Sequence, residues 1–154
     1  MEKIKHKGRY VLEVINLTTG ERKTIALDNM LMSYVTEQYQ KLLRGQAANA
    51  NVLQIKYFAF GDSDTAVNAG QTALGNERFR KQITAQQTVA GGVTTTCALR
   101  SDEANFRIKE IGVFCGTGAT AASGSGGMMS RCLVDIDKND NLQINILRTD
   151  YISI

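Results

Sequence analysis

Over most of this chain apolar and polar residues alternate with a period of two, the spacing of strands that bury one face. From Arg9 to Asn16, Tyr10, Leu12 and Val14 fall on one face. Leu17-Thr18-Thr19-Gly20-Glu21 carries turn residues, and Arg22 to Leu27 reads as a second strand, which predicts an N-terminal hairpin. The period then changes. Leu31, Tyr34, Val35, Gln38, Leu42 and Leu43 recur at helical spacing, with Asp28 as a candidate cap before them and Gly45 as a stop after them. This predicts one helix over about residues 29–44.

Beyond a polar linker at 46–51, strands are expected at Leu53–Phe60, Glu77–Val89, Val93–Arg100, Phe106–Phe114, Met128–Ile136 and Leu142–Ile152. Ala90-Gly91-Gly92 has the composition of a hairpin turn. In the fourth of these strands the alternation slips: Phe106 and Ile108 share one parity, Ile111 and Val113 the other. A slip of one residue turns side chains to the opposite face, so a bulge is expected near Glu110 to Gly112, with Gly112 as its natural resident. Residues 61–70 form a loop of small and acidic residues. Residues 116–127 are a run of Gly, Ala, Ser and Thr with nothing to fill a core, and are expected to be flexible. Strands joined by short turns argue a mainly β (β-rich α+β) fold, an antiparallel β-sandwich or barrel with an N-terminal hairpin and one helix. At 154 residues the chain is one domain, read as a basic arm at 1–8 followed by a β-sandwich domain at 9–154.

Composition narrows the function. The net charge is +3 with 21% charged residues, and the one basic cluster is Lys3, Lys5, His6, Lys7 and Arg9 in the terminal arm, so charge supplies no argument for a nucleic-acid partner. No apolar run approaches the ~20 residues of a membrane span. The charged, then alternating start lacks a signal-peptide pattern, so the expectation is a soluble protein made in a cytosol. There is no proline, which leaves the turns to Gly, Asn, Asp and Thr.

The search for chemistry gives little. His6 is the only histidine and falls in the arm, which removes His-based triads and most zinc hydrolase sites as default readings. The glycine-rich run at 116–127 is followed by a strand pattern, not by the helix a phosphate loop needs. Asp137, Asn139 and Asn141 have the spacing of a calcium loop, but Leu142 and Arg148 stand where its glycine and its bidentate glutamate belong. An Asx-rich turn fits better. Asp62 and Asp64 could pair for metal or acid–base work, yet without a histidine or a third carboxylate they read as turn caps. Cys97, Cys115 and Cys132 lie in strand patterns without metal-type spacing and read as three small buried hydrophobes. No catalytic residue, metal or cofactor is expected, and the chain is not read as an enzyme.

Three landmarks remain. They are Phe58-Ala59-Phe60-Gly61-Asp62-Ser63-Asp64-Thr65, then Leu74-Gly75-Asn76-Glu77 with Arg80, then Ile108-Lys109-Glu110-Ile111-Gly112-Val113-Phe114. In this order they resemble a pattern in bacteriophage tail, baseplate and tail-fibre-like virion proteins. The family form is an apolar strand ending in a Gly-x-Gly-like turn, a Leu-x-Asn-Glu…Arg cluster and an Arg-Glu-Ile-Gly-Leu-Phe-like strand. This chain departs with Asp62-Ser63 after Gly61, Lys109 before Glu110 and Val113 in place of leucine. The likeness spans residues 30–152 loosely and 55–114 better. It implies a virion structural component with no catalytic residues. Its partners would be copies of itself, as a trimer or ring, and other virion proteins. A host-receptor or carbohydrate-binding module and a neck- or head-associated adaptor are the alternatives. The residues the resemblance singles out are Asp62, Asp64, Asn76, Glu77, Arg80, Glu110 and Gly112, with Glu110 and Arg80 expected as an inward-turned pair that fixes strand register.

Overall fold

The computed structural model describes residues 2–154, and its described residues form ten strands and one helix in two five-stranded antiparallel sheets. The first sheet runs β2 (Arg22–Asp28), β1 (Lys5–Asn16), β10 (Leu142–Ser153), β7 (Gly92–Leu99), β6 (Ala85–Val89). The second runs β3 (Met30–Leu31), β9 (Gly127–Asp137), β8 (Arg107–Cys115), β4 (Ile55–Gly61), β5 (Glu77–Gln82). The expected β-rich, sandwich-like architecture is what forms.

Tyr10, Leu12, Leu99, Ile144 and Ile146 from the first sheet meet Phe58, Phe60, Ile108, Ile111 and Val113 from the second in one inter-sheet core. Each such side chain contributes on the order of 1.5–3 kcal/mol when removed from water. A second, smaller cluster lies on the outer face of the second sheet: Ala59, Phe114 and Met128 sit beneath Leu74, Met32 and Ala119. Leu74 and Ala119 belong to the two long loops, which are thereby packed down onto the sheet. Among the described residues the first sheet has no such cover.

Four boundaries depart from the sequence reading. β1 begins at Lys5, so half of the expected arm is a strand paired with the end of β10, Lys5 opposite Ser153 and Gly8 opposite Asp150. The helix α1 spans Ser33–Leu43, four residues later than expected at its start. Met30 and Leu31 pair instead with Arg131 and Ser130, and Asp28 ends β2 rather than capping the helix. Met32 occupies the N-cap without a side-chain bond, while Gly45 with φ +65° closes the helix as expected. The strand expected at 77–89 is two strands. β5 pairs with β4 in one sheet and β6 with β7 in the other, and the chain crosses between them at Ile83 and Thr84.

The parity slip in β8 is absorbed by a bulge, as expected, but the register shifts between Ile108 and Glu110 rather than at Gly112. Ile108, Ile111 and Val113 thereby all reach the inter-sheet core. Gly112 answers a different need: a Cβ there would stand 2.8 Å from Leu74 Cδ2, so the missing side chain lets the covering loop lie against the strand.

Candidate functional site

Glu110, on the outer face of β8, and Arg131, beside it on β9, are both 0% exposed at their side chains. Arg131 Nε donates to Glu110 Oε2 at 2.8 Å. The remaining capacity of the carboxylate is filled by backbone N–H groups of the loop that follows β4: Gly75 at 2.9 Å, Asn76 at 2.8 Å and Ser63 at 3.4 Å. The guanidinium donates onward to Thr65 O at 2.8 Å and Gln71 Oε1 at 3.2 Å. A buried pair is tolerated only when its other donors and acceptors are also satisfied, and here the loop satisfies them. Gly61 and Gly75 make room: a Cβ on Gly61 would lie 2.3 Å from Glu110 Oε1, and one on Gly75 2.3 Å from Ser63 Oγ.

A second clamp holds the other loop. Arg80 on β5 makes a two-pronged bond to Glu77, Nε at 3.0 Å and Nη2 at 2.8 Å, both side chains nearly buried. Arg80 Nη1 donates to Thr120 O at 3.0 Å and Ser125 O at 2.9 Å, and the guanidinium lies 4.3 Å over the Phe114 ring. Residues 116–127 are therefore pinned by a cation on a neighbouring strand, contrary to the expected flexibility.

These two clamps reassign the landmark residues. Glu110 and Arg80 do not pair with each other; each has a nearer partner, Arg131 and Glu77 respectively. Asp62 accepts from Asn76 Nδ2 at 2.6 Å and from Arg78 at 3.0 Å, bridging the two ends of its loop rather than capping a turn. The Asn76 hydrogen bond, the largest cause, and Arg78 hold its carboxyl below the ordinary carboxylate value. Among the described residues Asp64 reaches only Lys109, at 3.5 Å on the surface. The candidate calcium loop contains the Asx turn, Asn141 N donating to Asn139 Oδ1 at 2.9 Å.

A third network lies between the sheets and includes residues the sequence reading passed over. Arg148 on β10 is fully buried and donates to Asp150 through Nε at 2.9 Å and Nη2 at 2.7 Å, and to Ser130 Oγ at 2.7 Å. Gly8 faces it, where a Cβ would fall 2.5 Å from Arg148 Nη2. His6 Nε2 donates to Asp150 Oδ1 at 2.8 Å, and its Nδ1 is hydrogen-bonded to the Tyr39 hydroxyl at 3.2 Å, so the only histidine joins β1, β10 and α1 instead of lying in a free tail. Burial alone would raise the Asp150 carboxyl, but the His6 hydrogen bond and the Arg148 charge outweigh it and hold it at about 2. Burial pushes the Tyr10 hydroxyl, beside Ser130, up to about 12. A signal was present: Arg148 and Asp150 share the parity of Ile144 and Ile146, the core parity of their strand.

The three thiols are free and buried, and burial pushes Cys97 up to about 11 and Cys115 and Cys132 up to about 12. One open cavity of about 560 Å³ lies between α1, the 46–52 segment and the backbone of the second loop, lined by Tyr34, Gln38, Lys41, Asn49, Thr72 and Thr117 among others. Comparison with protein-family models, curated proteins and solved structures finds no match to this chain.

Proposed function

We propose that this protein is a structural component of a bacteriophage or phage-like particle, in its tail, baseplate or fibre-attachment region. It works by symmetric assembly with its own copies and with other virion proteins. The landmark resemblance supplies the class, and the observation that carries the mode of action is the inequality of the two outer faces. The second sheet is closed by the chain's own clamped loops. The outer face of the first is bare, and an uncharged row crosses all five strands: Ala26, Val11, Leu147, Thr96, Ala85. Leu147 at its centre is 38% exposed. The flanking rows are polar, with Thr24, Glu13 and Asn145 on one side and Asp28, Arg9, Thr149, Thr94 and Gln87 on the other. An apolar centre with a polar rim is the anatomy of a protein–protein interface. The clamped loops offer a second surface whose ordering is complete before any partner arrives, which lowers the entropic cost of association.

The test is the solution mass of the purified protein together with its location and copy number in imaged, antibody-labelled particles. Particles that lack the protein yet carry normal tails and fibres would sink the reading.

A further inference from the structure

Two open sheets leave four edge strands among the described residues, β2 and β6 in the first and β3 and β5 in the second. An edge strand carries backbone donors and acceptors that no neighbour fills, and proteins blunt such edges with charge, proline, bulges or shortness. Three of the four are blunted. β3 is two residues long, β2 carries Arg22, Lys23 and Asp28, and four of the six residues of β5 are charged. β6 is the exception. Ala85-Gln86-Gln87-Thr88-Val89 holds no charge, four of its five residues are exposed, and its register with β7 runs without a shift.

The hairpin geometry says which backbone groups stand open. The turn at Ala90 and Gly91 closes on the pair Val89–Gly92. The closing pair of a two-residue turn exchanges its hydrogen bonds, and bonded and non-bonded pairs then alternate along the ladder. Ala85, Gln87 and Val89 therefore bond toward β7, while the N–H and C=O of Gln86 and Thr88 point away from it. The β7 hydroxyls agree with this alternation, Thr94 Oγ1 donating to Gln87 O and Thr96 Oγ1 to Ala85 O, both at 3.4 Å. Among the described residues no backbone group outside β6 and β7 bonds the four outward groups.

We propose that β6 pairs with β6 of a second copy of this chain, antiparallel and two-fold symmetric about Gln87. An open row of alternating donors and acceptors is filled by another extended strand. The sequence of β6 suits its own copy. Centred on Gln87, the pairing sets Gln86 against Thr88 in both directions, so all four outward groups find partners. It also sets Gln87 against Gln87 and Ala85 against Val89, and opposes no like charges. The β2 or β5 edge of a second copy would bring charged side chains to the same place, and β3 only two residues. This contact is separate from the bare face around Leu147 and stands without the virion reading. A few backbone hydrogen bonds make it weak alone. It forms at millimolar concentration, or where an assembly already holds two copies close.

The experiment follows amide hydrogen exchange by NMR in the full chain carrying Leu147→Glu, which disables the face contact, at roughly 10 µM and at about 2 mM. The Gln86 and Thr88 amides are expected to exchange freely in the dilute sample and at least about threefold more slowly in the concentrated one. The Gln87 and Val89 amides, bonded to β7, are expected to be equally protected in both. Thr88→Pro removes one outward N–H and leaves the bonds to β7 in place, and is expected to abolish the slowing at Gln86. Gln87→Lys sets two cations face to face at the two-fold axis and is expected to abolish it as well. An equimolar mixture of Gln87→Lys with Gln87→Glu is expected to restore it. The proposal is overturned if the Gln86 and Thr88 amides exchange at the same rate at both concentrations. It is also overturned if folded Thr88→Pro or Gln87→Lys keeps the slowing, or if the mixture fails to regain it. Should Thr88→Pro disturb the hairpin, read from the Gln87 and Val89 amides, the charge pair at residue 87 decides alone.

Discussion

Single residues carry most of what holds the loops of this protein. Glu110→Ala would leave Arg131 buried without its counter-charge and three loop N–H groups without their acceptor. The expected loss is about 3–5 kcal/mol by urea unfolding, while Glu110→Leu combined with Arg131→Met should recover much of it. The strong coupling belongs to that pair. Glu110→Ala and Arg80→Ala should add, because each contacts a different partner, and a coupling above about 0.5 kcal/mol between them would contradict the geometry. The thiols give a second residue-scale test. Cys97, Cys115 and Cys132 are buried with raised pKa values, so a thiol reagent should label none of them in the native state and all three in denaturant. At this scale the sequence was readable only in part. That Glu110 and Gly112 mattered could be seen from the parity slip. Their partners, Arg131 and Leu74, come from strand neighbours and loops distant in sequence, and pattern alone carries no such pairing.

At the scale of elements, the strands were legible wherever one face is buried and the other wet, as in β1, β7 and β10. The errors fall where tertiary pairing overrides local pattern. Met30 and Leu31 fit a helix but gain backbone partners on β9. The 77–89 stretch reads as one strand because alternation does not register a change of sheet at Ile83 and Thr84. His6, Asp150 and Tyr39 tie the start of β1, the end of β10 and α1 into one junction, and its strength depends on pH. The Asp150 value of about 2 lies below the ordinary 3.8. The ionised carboxylate therefore stabilises the fold fully above about pH 4, and that contribution, about 2 kcal/mol, is lost as pH falls through 2. Asp150→Asn removes the titrating group. The stability gap between wild type and Asp150→Asn, measured by urea unfolding, should narrow by about 2 kcal/mol between neutral pH and about pH 2. A gap that stays constant would mean the carboxylate is not held by Arg148 and His6.

For the whole molecule, the sandwich with one closed and one bare outer face turns assembly into a question about Leu147. The residue lies at the centre of the uncharged row, and its side chain points away from the inter-sheet core built by Ile146 and Ile144. Leu147→Glu should therefore leave the folded subunit almost untouched, within about 0.5 kcal/mol of wild type, since exposed positions tolerate a charge. In an assembly that covers this face, the same carboxylate would be desolvated among Val11, Thr96 and Ala85 with no cation beside it, the nearest rows offering Arg9 only at the rim. Light scattering should then read a multiple of the 16.8 kDa chain mass for the wild type and a single chain for Leu147→Glu. Thr149→Glu, in the polar row two residues on, should weaken association far less, because a rim charge keeps its water. A wild type that stays at single-chain mass throughout the micromolar range removes self-assembly through this face. A Leu147→Glu variant that keeps the wild-type mass shifts the contact to the clamped loops, whose surface is then the one to substitute.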